Sequence, residues 1–235
     1  LLVAVSGCLG GANGPQGDST PSAEQIQENT VSAMKDVETA TYEMQMTISA
    51  GGQNVEMTAD GAIDRAAKRM RMNLSMDAGL QSLETTQYVE GNTSYIRLNG
   101  QWRTQDISRQ TPGEGFWSNN QFAQQTDALE GASVQLNGTE TVNGEETYRL
   151  EVDADQETVN ELLQQQSAAT GAIENVDIDN VQFTQYVDTE SNHIRKVEMQ
   201  MDMSVQGQEA TAAMTMSYDN FNEDVSIDIP DAATS

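Results

Sequence analysis

Thr41-Tyr42-Glu43-Met44-Gln45-Met46-Thr47-Ile48-Ser49 alternates strictly, with Tyr42, Met44, Met46 and Ile48 on one side of the chain and Glu43, Gln45 and Thr47 on the other. Successive side chains of an extended strand point to opposite faces, so this period of two specifies a strand with one buried and one wet face. The pattern resumes after Gly51-Gly52, where Val55, Met57, Ala59 and Ile63 mark a second strand, and again at Met70, Met72, Leu74 and Met76. Such runs joined by tight connections read as half-buried antiparallel strands.

Upstream of this stretch the period changes. Ser22 and Gln25 form a capping box, and Ile26, Thr30, Ala33, Met34 and Val37 follow on one face of a helix. Downstream, shorter strands are expected at 86–89, 94–98 and 101–103, the last two turning at Asn99-Gly100. Residues 105–117 carry no period and read as a loop. Ser118 and Gln121 make a second capping box, with Trp117 and Phe122 placed as a hydrophobic staple, for a helix ending near Glu130. Strands return at 134–142 and 147–152 around Asn143-Gly144, and Asp155 caps a third helix bearing Val159, Leu162 and Leu163. Strands at 181–187, 193–205 and 210–218 follow, with a short edge strand at 225–230 ended by Pro230. The expected fold is α+β: one antiparallel sheet of up to about ten strands, strongly curved by its own twist, with about three helices on its concave face.

The 235 residues include 37 Asp and Glu against 11 Lys and Arg, a net charge of −26 with the one histidine neutral. That balance argues against nucleic acid, whose binding needs a basic footprint, and against docking on anionic lipid through a polybasic face. The acids alternate with apolar residues, as on the wet face of strands. At low salt their repulsion opposes compaction; at molar salt the Debye length falls to about 3 Å and the repulsion largely vanishes. The charge therefore fits a very salty milieu, with an ordinary acidic extracytoplasmic protein as the alternative. One cysteine and one histidine exclude a disulfide framework and a thiolate zinc site, and most multi-histidine metal sites and hydrolytic triads with them.

The chain opens Leu1-Leu2-Val3-Ala4-Val5-Ser6-Gly7-Cys8. This apolar run is far shorter than the roughly 20 residues that span a bilayer, so residues 1–7 read as the remnant of a lipoprotein signal peptide. Val5-Ser6-Gly7-Cys8 matches the lipobox pattern of aliphatic, small, small and cysteine. The match implies cleavage before Cys8 and a thioether-linked lipid on its sulfur. Residues 8–22 then form the lipidated cysteine and a flexible linker rich in Gly, Pro and small polar residues, and 23–235 a single domain. The expected address is the extracytoplasmic face of the cell membrane, held by a lipid anchor. Sequons at Asn73, Asn92 and Asn137 are candidate glycosylation sites.

Methionine outnumbers phenylalanine 12 to 4, and within each expected strand the methionine registers agree. Methionine is unbranched and polarizable, so it adapts to partners of irregular shape. Met44, Met46, Met57, Met70, Met72, Met199, Met201, Met214 and Met216, with Phe122 and Leu162 from the helices, are the candidate lining for a hydrophobic guest such as an acyl or isoprenoid chain. The alternative is that they fill a core beneath the helices. The two readings differ in the volume left once the helices pack.

The N-terminal cysteine and linker, the first helix before TYEMQMTIS, and the stretches QYVEGNTSYIRLNGQW, GEETYRLEVDADQETVNELL and TQYVDTESNHIRKVEMQMDM carry a family likeness. Together they resemble lipoproteins of the LolA/LppX–LprG-like superfamily, as found in halophilic archaea, over nearly all of residues 23–230. The resemblance implies an incomplete, strongly curved antiparallel barrel whose helices close a hydrophobic cavity. It implies binding or transport of lipids or lipid-modified proteins, without catalytic residues or a cofactor. The partners implied are a hydrophobic ligand, the membrane through the N-terminal lipid anchor, and another envelope protein. A sensor branch of the same fold supplies the alternative, a non-enzymatic envelope sensor or protein-interaction module with a filled core.

Other constellations carry less. Counting a calcium loop from Asp153 puts Thr158 where glycine is required and Gln164 where glutamate is required. His193 falls beside a hairpin turn and is expected to be solvated rather than a general base. Trp102 and Trp117 flank the aperiodic loop, either as a lid or as packing.

Overall fold

The computed structural model describes residues 20–79, 82–108, 116–117, 126, 129–153, 176–205 and 208–234. Helix α1 spans Ala23–Lys35. The Ser22 hydroxyl accepts from the Gln25 amide at 3.2 Å, and the Gln25 side chain accepts from the Ser22 amide at 2.9 Å, so both backbone donors are satisfied reciprocally. Ile26, Thr30, Val31 and Met34 form the buried stripe. Thr30 donates its hydroxyl to the Ile26 carbonyl at 2.8 Å, which lets a polar side chain lie inside.

The strands are β1 (Thr39–Ala50), β2 (Gln53–Asp64), β3 (Arg69–Asp77), β4 (Ser82–Glu90), β5 (Thr93–Leu98), β6 (Gln101–Asp106), β7 (Ser133–Val142), β8 (Glu145–Asp153), β9 (Val176–Asp188), β10 (Ile194–Val205) and β11 (Gln208–Asp219). They form one sheet in the order β6-β5-β4-β3-β2-β1-β11-β10-β9-β8-β7, with every ladder antiparallel. Two meanders grow outward from the middle, where β1 and β11 meet. At Asn99-Gly100 and Asn143-Gly144 both central residues have positive φ, as a two-residue hairpin matching the strand twist requires.

Two expectations need correction. The sheet is not an incomplete barrel under about three helices: it is an open sheet of eleven strands, and two helical elements have defined bounds, α1 and a 3-10 turn at Asp231–Ala233. Closure into a barrel would need the edge strands to meet in register along their length. Edge strand β6 has only six residues, and edge strand β7 is interrupted by a bulge between Leu136 and Thr139. Short and bulged edges resist further pairing. The third expected helix lies outside the described residues, as does most of the second. The segment expected as an edge strand at 225–230 joins no ladder. It leads instead to the 3-10 turn, which packs against β5 and β6 and buries Ala233.

Helix α1 packs on the methionine-bearing face. Ile26, Met34 and Val37 share one apolar cluster with Val89 of β4 and Leu150 of β8. Those two strands stand seven places apart in the sheet, so the cluster runs across most of its width, through Ile63, Met70, Met216, Tyr218 and Val197. Gly61 permits a close approach within the sheet: a Cβ there would fall on the ring of its cross-strand partner Tyr42 and lie 2.6 Å from the Arg71 carbonyl oxygen.

Candidate functional site

Strand register decides what the methionines make together. Met46 faces Met214 on one side and Met57 on the other; Met57 faces Met76, and Met214 faces Met199. Met76, Met57, Met46, Met214 and Met199 are thus neighbours across five adjacent strands, and Phe183 of β9 continues the row. Four strand spacings make that row about 19 Å long. Met44 faces Met216 in the next row toward α1, while Met201 and Met203 extend along β10 and Met70 and Met72 along β3 on the same face.

Of the candidate lining residues, Met44, Met46, Met57, Met70, Met72, Met199, Met201, Met214 and Met216 therefore share one face. Met70, Met201 and Met216 are buried; the other six are half-buried. Phe122, Leu162 and Cys8 lie outside the described residues. Met76, Met203 and Phe183 belong to the same surface although they were absent from the candidate set. Their strand parity was the available signal.

Gln185 was missed altogether. It stands on the same face of β9, between Val197 of β10 and Leu150 of β8, at 0% exposure. Neither its Oε1 nor its Nε2 has a hydrogen-bond partner. A buried polar group left unsatisfied costs about 1–3 kcal/mol, so this amide works against the fold where it stands. In the sequence it interrupts the alternation Val181, Phe183, Gln185, Val187, a polar residue at an inward position.

The opposite face is polar. A cleft of about 250 Å³ there is lined by Thr41, Glu43, Asp60, Arg71, Asp219 and their neighbours. Its acids make it unsuited to an apolar guest. Tyr186 donates its hydroxyl to Glu198 at 2.9 Å while Lys196 sits 4.0 Å over the ring and pairs with Glu198 at 2.8 Å. Burial, then the Glu198 contact, pushes the Tyr186 phenol above its ordinary value despite the nearby Arg149. Trp102 lies on this outer face beside Tyr88, with ring centroids 6.0 Å apart. Trp117 instead donates its indole N–H to the Gly91 carbonyl at 2.6 Å and packs against the core. The two tryptophans do not form a common lid.

His193 is not simply solvated. It is half-buried and stacked on Phe221, with ring centroids 4.5 Å apart. Burial, and then the Arg195 charge, push its imidazole below the ordinary value. Among the sequons, Asn92 and Asn137 are exposed, in a turn and at the β7 bulge. Asn73 lies mid-strand and donates its amide to Asp60 at 3.0 Å. No described helix is long and apolar enough to cross a membrane.

No curated protein matches the sequence. Among solved structures, the chain resembles the lipoprotein LppX of Mycobacterium tuberculosis at 15% identity and a TM-score of 0.56, over 89% of this chain and 100% of that one. LprF of Mycobacterium bovis gives 12% identity and 0.56, over 88% and 96%. A LolA superfamily protein of Nitrosomonas europaea aligns at 11% identity with a TM-score of 0.31, over 90% and 96%, too low a score to carry an argument. At these identities the first two likenesses establish a shared fold. Residues 22–235 match the model of the family of unknown function DUF6612, and the chain belongs to that family.

Proposed function

We propose that this protein is an extracytoplasmic lipoprotein, anchored through a lipid on Cys8, that binds or carries a hydrophobic ligand by burial rather than by catalysis. The observation that carries this reading is the five-strand methionine row, whose members are half-buried on the face that α1 covers at one end. The fold shared with the mycobacterial lipoprotein LppX supports it. Each methylene moved from water onto such a surface contributes about 0.8 kcal/mol, so a long acyl chain needs no reactive group to be held. The linker before α1 would let the domain load and unload near the membrane.

Native mass spectrometry of protein purified from membranes tests this. A stoichiometric lipid adduct, removed by solvent extraction, is the expected result. A single ligand-free mass, unchanged by extraction, would sink the carrier reading and leave an interaction module. In the same preparation, Cys8→Ser should move the protein from the membrane to the soluble fraction.

A further inference from the structure

We infer that Gln185 is the polar recognition point for the guest, and that the guest is an acyl chain bearing a neutral carboxamide. The inference rests on the carrier reading above and adds a ligand class to it. Gln185 offers one vacant acceptor, Oε1, and a vacant donor group, Nε2, both fully buried. A complementary guest must present a donor and an acceptor side by side. An amide does so. An ester presents acceptors only, a hydrocarbon neither. A carboxylate has no donor, and the residues flanking Gln185 on that face, Phe183, Val187, Val197 and Leu150, are all uncharged, so nothing there offsets the desolvation of an anion.

The placement fits a chain with one polar end. Phe183, two residues before Gln185 on β9, continues the methionine row, so a guest whose tail lies along Met199, Met214 and Met46 brings its head beside the Gln185 amide. The strand neighbours Val197 and Leu150 belong to the same apolar cluster as Ile26 and Met34 of α1, so the polar head would sit at the end of the face nearest the helix. The polar pairing gives the bound guest a fixed direction, which the methionine row alone does not.

The experiment uses the delipidated full chain and displacement of a solvatochromic naphthylamine dye by dodecanamide, dodecane or dodecanoate. Wild type is expected to bind dodecanamide about tenfold more tightly than either competitor, the gain from two hydrogen bonds. Gln185→Leu, and Gln185→Met as a second variant of matching length, should hold dodecane as wild type does and lose the preference. Their thermal midpoints should stay level or rise, because replacing an unsatisfied buried amide by an apolar group removes its desolvation cost. Equal binding of the three probes by wild type, or a preference that survives both variants, overturns the inference while leaving the carrier reading standing. Binding of no probe at all overturns both.

Discussion

At the β9–β10 turn, Asp188 accepts hydrogen bonds from the Glu190 and Ser191 amides at 3.0 and 2.7 Å, from the Ser191 hydroxyl at 2.9 Å and from Arg195 at 3.2 Å. Burial raises its carboxyl, but the Ser191, Glu190 and Arg195 contacts outweigh it and hold the group below the usual carboxylate range. His193 nearby is pushed down by burial and by Arg195. In both cases the unfolded chain takes up protons that the folded one resists, so each contribution is present at higher pH and lost on acidification. For His193 the loss begins as pH falls below about 6.5; for Asp188 it begins below about 3.9 and ends as the folded carboxyl protonates. Urea midpoints of wild type and variants, measured from pH 8 downward, check this. His193→Phe should gain on wild type through the first window. The deficit of Asp188→Asn should shrink through the second. Parallel curves for wild type and both variants would refute the assignment. The imidazole's half-burial was not legible from its place in a turn, because Phe221, which covers it, comes from the segment after β11.

Among the elements, α1 was the most legible. Its start rests on a short-range capping box and its buried face on a helical period, both local properties. Ser22→Ala should lower unfolding stability by about 1 kcal/mol, read from denaturant midpoints at unchanged slope. Strands were legible wherever side chains alternate. The misplaced ends have a physical cause: β9 begins at Val176 where acids alternate with Val176 and Ile178, and 225–230 alternates without finding a partner strand. Alternation makes a segment competent for a sheet, but a ladder needs a free edge. The methionine row is tested at this scale by Met46→Ser with Met214→Ser, a half-buried cross-strand pair. The double variant should weaken binding of the naphthylamine dye by about tenfold while its far-ultraviolet circular dichroism stays that of the sheet. Unchanged dye affinity would remove the row from the binding surface.

For the whole molecule, charge dominates. Several of the described cations pair locally, as in Lys35–Glu130, Arg69–Glu90 and Arg149–Glu151, yet such exposed pairs contribute only about 0–1 kcal/mol each and leave a net charge of −26. Raising KCl from 0.1 to 2 M shortens the screening length from about 10 Å to below about 3 Å. The thermal midpoint measured by calorimetry should climb steadily over that range. A flat or falling midpoint would favour an ordinary acidic protein over one suited to brine.

The amino-acid sequence by itself determined the parity of each strand, the Asn-Gly turns, the cap of α1 and the sign of the molecular field, because each depends on neighbours a few residues apart or on a sum over the chain. Tertiary structure alone decided that β1 pairs with β11, and hence that methionines more than 150 positions apart line up as one row. It also decided that the sheet stays open and that Gln185 is sealed without a partner. Register between distant strands is set by how faces pack across the sheet, and no local period encodes it.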